Sequence, residues 1–266
     1  MEPPPPPPPP GPDGLRFTGP GPLTRALELV RYLRTACPWD AEQTAESLIP
    51  HLLEETHEVV DAIRSGDVHA LEGELGDLLL NLAFQIVVAE EKGDLDAMGA
   101  YRRLEEKMVA RHPHLFDSGQ KKSWAELKAD ERKEGERILD GLSAGLDPLT
   151  RAHRMQEKAA GVGFDWPDRE GPAAKVREEL QEVMDEVEAG SADRIGDEVG
   201  DLLFAAVNLA RHVGTHPTNA LARANQKFQA RFTRLEELAN ERGLDMFEAS
   251  LDELDALWDE VKREGQ

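Results

Sequence analysis

Residues 178–207 read EELQEVMDEVEAGSADRIGDEVGDLLFAAV. Apolar residues recur there at three-four spacing, as in Leu180, Val183 and Val187, and an apolar run, Leu202 to Val207, follows a Gly/Asp-containing break at Gly190. That period belongs to a helix, and a glycine between two such stretches suits a helical hairpin. The same spacing continues through nearly every segment from Leu23 onward, for example Leu27, Val30 and Leu33, and no period-two run bounded by turn signals interrupts it. The fold class that follows is all-α.

The stretch occurs twice. A shift of 124 positions superposes Glu54, Glu55, Glu58, Val59, Asp61 and Gly66 on Glu178, Glu179, Glu182, Val183, Asp185 and Gly190. It also carries Glu74, Gly76, Asp77, Leu78 and Leu79 onto Glu198, Gly200, Asp201, Leu202 and Leu203. A shift of 120 then aligns Lys107 and Arg111 with Lys227 and Arg231, and Trp39-Asp40 has a reversed counterpart in Asp165-Trp166. The chain therefore reads as a duplicated helical domain. Its expected parts are a proline-rich tail over 1–22, extended or disordered; an N-terminal domain over 23–117; a charged linker over 118–148 with a helix-like piece from Trp124 to about Arg137; and a C-terminal domain over 149–266.

Each copy carries Glu-Glu-x-x-Glu and, after fifteen intervening residues, Glu-x-x-Asp. Residues three or four apart share a helix face, so Glu179 with Glu182 and Glu198 with Asp201 are each a ready pair. Two such helices facing each other would gather four carboxylates. Like charges that close raise one another's pKa unless cations lie between them, and oxygen-only ligation suits Mg²⁺ or Mn²⁺. Acidic residues at helical spacing are ordinarily a solvated face. Against that stand the apolar run beside Glu198 and Asp201, the recurrence at identical spacing and the short hairpin turn. A di-iron carboxylate bundle would require Glu-x-x-His on two helices; Glu54 and His57 supply it once, and Gln181 stands where the second histidine should be.

Composition narrows the partners. With 53 acidic against 31 basic residues the net charge is -22, and no basic stripe offsets it, so nucleic acid is not an expected partner. The apolar run Leu78 to Ala89 is too short to cross a bilayer, which takes about 20 apolar residues, so no membrane partner is expected. The single cysteine, Cys37, and the lack of a secretory signal point to a reducing cytoplasm.

The paired acidic motifs, with Cys37-Pro38-Trp39-Asp40, Arg111-His112-Pro113-His114, Gly163-Phe164-Asp165-Trp166 and Gly200-Asp201-Leu202-Leu203-Phe204, resemble the MazG family of nucleoside triphosphate pyrophosphohydrolases. The resemblance covers essentially everything after the proline tail. It implies an all-α, usually dimeric enzyme that uses Mg²⁺ to convert a nucleoside triphosphate into monophosphate and pyrophosphate. It also implies that Glu179, Glu182, Glu198 and Asp201 ligate the metal and that water attacks the α-phosphorus; Glu54, Glu55, Glu58, Glu74 and Asp77 stand at the matching positions of the first copy, whose lost cations mark it as a degenerate counterpart. Glu178, the motif carboxylate left without a metal role, is the candidate proton acceptor.

A triphosphate also needs side-chain cations. Lys175 precedes Glu179 by four residues and Arg194 precedes Glu198 by four, which would aim both into the site; the first copy has His51 and Ala70 instead. Asn225, Lys227 and Arg231 correspond to Glu105, Lys107 and Arg111, a change of Asn to Glu that opposes a polyphosphate. The C-terminal copy is thus the expected catalytic domain. The plainer account of Lys175 and Arg194 is helix salt bridges with Glu179 and Glu198. Trp39 and Trp166 read as staples of the repeat, Trp258 as a candidate for the nucleobase pocket, and His112 and His114 as helix-end packing. The alternative from another class is a non-catalytic helical dimer scaffold or regulatory interaction protein; among enzymes, a narrower dUTPase-like or phosphoribosyl-ATP activity remains open. A small helical domain with a charged cleft gains apolar cover by pairing, so a homodimer is expected.

Overall fold

The computed structural model describes residues 21–113, 135, 137–190 and 192–264. Every regular element among them is a helix, and none is long and apolar enough to cross a membrane. The proline run to residue 20, His114 and most of the helix-like piece expected from Trp124 to Arg137 lie outside the described residues. The chain divides into two compact units, Met1–Ser123 and Trp124–Gln266.

In the first unit the helices are α1 (Pro22–Ala36), α2 (Pro38–Glu42), α3 (Ile49–Ser65), α4 (Val68–Lys92) and α5 (Ala97–Arg111). α1 opens at Pro22, one residue inside the segment read as tail, because proline's fixed φ and missing N–H suit a first helical turn. α1 and α3 both pack on α4, and Leu27, Val30, Leu48, Ala83, Phe84 and Val87 form the core between them. The apolar run of α4 is buried at Ala83, Phe84, Val87 and Val88, as expected of a core helix. His112, at the end of α5, hydrogen-bonds through Nδ1 to the Met108 carbonyl at 2.7 Å, a helix-end role.

The second unit consists of α6 (Pro148–Ala160), α7 (Glu170–Ala189), α8 (Ala192–His212), α9 (Pro217–Glu241) and α10 (Leu251–Glu264). α7 and α8 form the closest-packed pair, α6 rests on α8 and α9, and α9 with α10 encloses Leu235, Leu238, Ala239, Leu257 and Val261. Residues just before α6 are fastened to it: Lys158 Nζ donates to the Asp140 carbonyl at 2.7 Å, and Arg151 Nη1 to that of Ser143 at 2.8 Å. The run Leu202 to Val207 is less covered than its composition suggests. Only Ala205 and Val207 are buried, while Leu203 and Phe204 are exposed, because α8 has neighbours on part of its circumference only.

The repeat is structural as well as textual. α3 and α7 both end at a glycine in the left-handed region, Gly66 at φ 73° and Gly190 at φ 78°, and a helix follows within two residues. A side chain there would strain the backbone, so glycine fixes where each hairpin turns. On the first hairpin Asp67 caps α4, its carboxylate accepting from the His69 and Ala70 amides at 2.9 and 3.0 Å.

Trp166 staples the second hairpin in an unexpected way, since its indole lies directly over Gly171 in the first turn of α7. A Cβ on Gly171 would meet the ring at 2.3 Å, close to its root, where no flexible end can yield. An exposed helical Gly→Ala change usually stabilises by up to about 1 kcal/mol, whereas overpacking costs about 1–3 kcal/mol. Gly171→Ala is therefore expected to lower the melting temperature and to red-shift tryptophan emission as Trp166 is expelled; a rise in melting temperature with unchanged emission would contradict this packing.

Candidate active site

Because Glu179 and Glu182 stand one turn apart on α7 and Glu198 faces them from α8, the hairpin brings one carboxylate oxygen of each to within 4.8 Å of the others. Glu55, Glu58 and Glu74 do the same on α3 and α4. Three of the four expected ligands are thus gathered in each copy. Asp201 and Asp77 are exposed and stand outside these groups, although Asp77 is near enough to raise the pKa of Glu55. Glu179 is the most deeply placed, at 4% exposure.

Electrostatics separates the copies. In the first, partial desolvation and the neighbouring carboxylates push Glu55 and Glu74 above the ordinary glutamate value, and Glu74 also shares a hydrogen bond with Glu58. At the position of Lys175 the first copy has His51, whose Nδ1 stands 3.8 Å from Glu54. In the second, Lys175 Nζ lies 2.6 Å from Glu179 Oε1 and 2.8 Å from Glu178 Oε1. Glu182 is the carboxyl held above its ordinary value there, by desolvation and by Glu179, with Lys175 pulling the other way. These two hydrogen bonds also raise the Lys175 pKa, so it stays cationic.

The phosphate-binding candidates meet mixed outcomes. Lys175 does enter the carboxylate group. Arg194 does not pair with Glu198: its Nε ion-pairs with Glu186 across the hairpin at 3.0 Å, because Glu186 lies one turn beyond Glu182 on the facing helix. Glu186 was not among the residues singled out, and only a cross-helix register would have revealed it. Asn225, Lys227 and Arg231 lie on α9, which packs on α6, α8 and α10, and among the described residues none of the three has a hydrogen bond or ion pair with the acids. Among the described residues neither Lys227 nor Arg231 has an ion pair. Trp258 packs on the α9–α10 core, 5.4 Å from the Phe228 ring centroid.

The donor set is one that a divalent cation fits: carboxylate oxygens only, within a few ångströms, with repulsion that a cation would relieve. Comparison with known proteins places this geometry. The description "MazG nucleotide pyrophosphohydrolase domain" matches residues 43–116 and 170–234, so both hairpins fall inside it. The chain belongs to the MazG family. It is 41% identical over 256 residues to the nucleoside triphosphate pyrophosphohydrolase of Escherichia coli K12, covering 91% of this chain and 97% of that one. It is also 39% identical to the nucleoside triphosphate pyrophosphohydrolase/pyrophosphatase MazG of Thermotoga maritima, covering 85% and 89% respectively. In MazG terms this chain has two domains whose acidic hairpins are alike and whose cations differ.

A carboxyl that is harder to ionise in the fold than in the unfolded chain favours folding on the acid side and loses that contribution as pH rises through its raised pKa. Glu182 is such a group, its pKa lying above the ordinary 4.5. In chelator above that pKa, Glu182→Gln is expected to melt at a higher temperature than the parent chain, and below it the two converge. Millimolar Mg²⁺ should stabilise the parent more than the variant. A variant that melts lower throughout would show the cluster to be held by hydrogen bonds instead of strained by charge.

Proposed function

We propose that this chain hydrolyses nucleoside triphosphates to nucleoside monophosphate and pyrophosphate, chiefly in its C-terminal domain and with Mg²⁺ as the metal, Mn²⁺ serving in its place. Cleavage of a phosphoric anhydride follows from membership of the family. The observation that carries the assignment to the C-terminal domain is Lys175 at 2.6 Å from Glu179, a cation at the acids where the first copy has His51.

Glu179, Glu182 and Glu198 would hold the metal, with Asp201 turning in as the fourth carboxylate. Bound there, the metal would supply positive charge for the phosphate oxygens and lower the pKa of a coordinated water. Glu178 has one oxygen on Lys175, which leaves the other open to accept a proton from the water that attacks the α-phosphorus. Lys175 both orients Glu178 and offers charge to the triphosphate. Arg194, more than half exposed, would exchange Glu186 for a phosphate.

Asn225, Lys227 and Arg231 fit this reading in a homodimer. Leu180, Met184 and Val187 on α7 and Val199 and Leu203 on α8 are exposed on the very helices that bear the acids, an apolar surface that pairing would cover. A second chain laid there can bring its own α9 to the cluster.

The test is product analysis on a mixed nucleoside triphosphate pool with Mg²⁺, for the parent, Glu179→Ala, Glu55→Ala and Glu178→Gln. Removing groups that merely support a metal ligand costs ten- to a hundredfold, so Glu179→Ala is expected to lower turnover by more than about a hundredfold. Glu55→Ala should leave it within about twofold, and Glu178→Gln should slow it with metal affinity intact. Equal loss in Glu179→Ala and Glu55→Ala would refute the assignment to one domain; orthophosphate as the product would refute the reaction.

A further inference from the structure

We infer, resting on the metal reading proposed above, that Glu186 is a positioning residue: by holding Arg194 across the hairpin it keeps a guanidinium off Glu198, a carboxylate the metal needs. Glu198 is thereby left open before any nucleotide arrives.

The register of α7 against α8 sets up the choice. Glu182 and Glu198 face each other closely enough that Glu198 helps to hold the Glu182 carboxyl above its ordinary value. Four residues on along α7 and four back along α8, Glu186 faces Arg194, whose Nε stands 3.0 Å from Glu186 Oε2. This second rung lies about 6 Å nearer the turn at Gly190. Arg194 therefore has two carboxylates to choose between. Glu198, one turn on along its own helix, is the ordinary partner at that spacing. Glu186 on the facing helix is the one it takes.

Burial accounts for the preference. Glu186 Oε2 has no exposed surface and accepts no hydrogen bond of good geometry, so the charge of the neighbouring guanidinium is what compensates it. Glu198 depends less on Arg194, because it stands in a group that Lys175 already enters. The arginine side chain itself is 61% exposed, held at one end and free to turn at the other.

The first copy lacks the whole device. Its matching rung of acids is Glu58 with Glu74, joined by a hydrogen bond, and one turn nearer Gly66 the places of Glu186 and Arg194 are taken by Ala62 and Ala70. Both members of the ion pair are absent together. Ala62 is buried, so the place that Glu186 occupies faces inward in either copy. A cation set one turn from a metal ligand thus comes with an anion that restrains it, and where the cation is missing the anion is missing too. Without Glu186, Arg194 would settle on Glu198, and a divalent ion would have to displace it from a group that already holds Lys175. A pair that merely tied the two helices together would change stability and leave metal affinity alone.

The experiment is a Mg²⁺ titration of the full chain without nucleotide, read as the rise in melting temperature over each protein's own metal-free value, for the parent, Glu186→Gln, Arg194→Ala and the double variant. A variant that is less stable without metal remains readable on that scale. Glu186→Gln is expected to weaken Mg²⁺ binding about two- to fivefold, the order of one exposed ion pair competing for Glu198. In the Arg194→Ala background the same change should alter it by less than about 1.5-fold, since the competitor is gone. Unchanged Mg²⁺ affinity in Glu186→Gln would make the pair structural and overturn the inference. Equal weakening in both backgrounds would overturn it as well, showing the carboxylate to act through its own charge and not through Arg194. A parent whose melting does not respond to Mg²⁺ would instead overturn the metal reading, and the role of Glu186 with it.

Discussion

Three carboxylates held within 4.8 Å of one another on a helical hairpin repel, and the rest of the second unit can be understood as the means of keeping them there. A left-handed glycine sets the turn, α7 and α8 pack closely along their length, and Trp166 seats on the first turn of α7 where Gly171 leaves room. None of these features removes the repulsion. Lys175 offsets part of it, and the remainder is what a divalent cation would relieve.

The same constraint without the cation describes the first unit. Its hairpin repeats the acids and the turn glycine, but Glu55 and Glu74 are both held protonated more readily than an ordinary glutamate, and Glu74 shares a hydrogen bond with Glu58. Glu182 in the second unit is raised for the same reasons and shares the same kind of hydrogen bond with Glu179, so what distinguishes the two units is the ammonium group of Lys175. Divergence between the copies therefore lies in their basic residues, while the acids and the fold are retained.

Much of this was legible in the sequence because it is local. Three-four spacing gives the helices, Gly66 and Gly190 give the turns, and one constant shift of 124 gives the duplication. The pairing of Glu179 with Glu182, and of Lys175 with Glu179, follows from spacing along one helix. What spacing cannot supply is the register between helices. Arg194 sits four residues before Glu198 and yet reaches across to Glu186, because the facing helix offers a carboxylate nearer to its guanidinium. The cavity of about 490 Å³ between α6, residues 163–166 and α8 is a stronger case. Its walls come from Leu139 to Arg211, and what marks Gln156 is an oxygen left without a partner, a property of the packed chain that no residue pattern encodes. The apolar run of α8 is buried at Ala205 and Val207 and exposed at Leu203 and Phe204, a division that composition does not encode because it does not say how many neighbours a helix will have.

The central claim is that water attacks the phosphorus nearest the nucleoside. Turnover of ATP in ¹⁸O-enriched water, followed by mass spectrometry of both products, tests it without any variant. The account predicts one ¹⁸O atom in AMP and none in pyrophosphate. Label in pyrophosphate, or in released orthophosphate, would place the attack elsewhere on the chain of phosphates and contradict it.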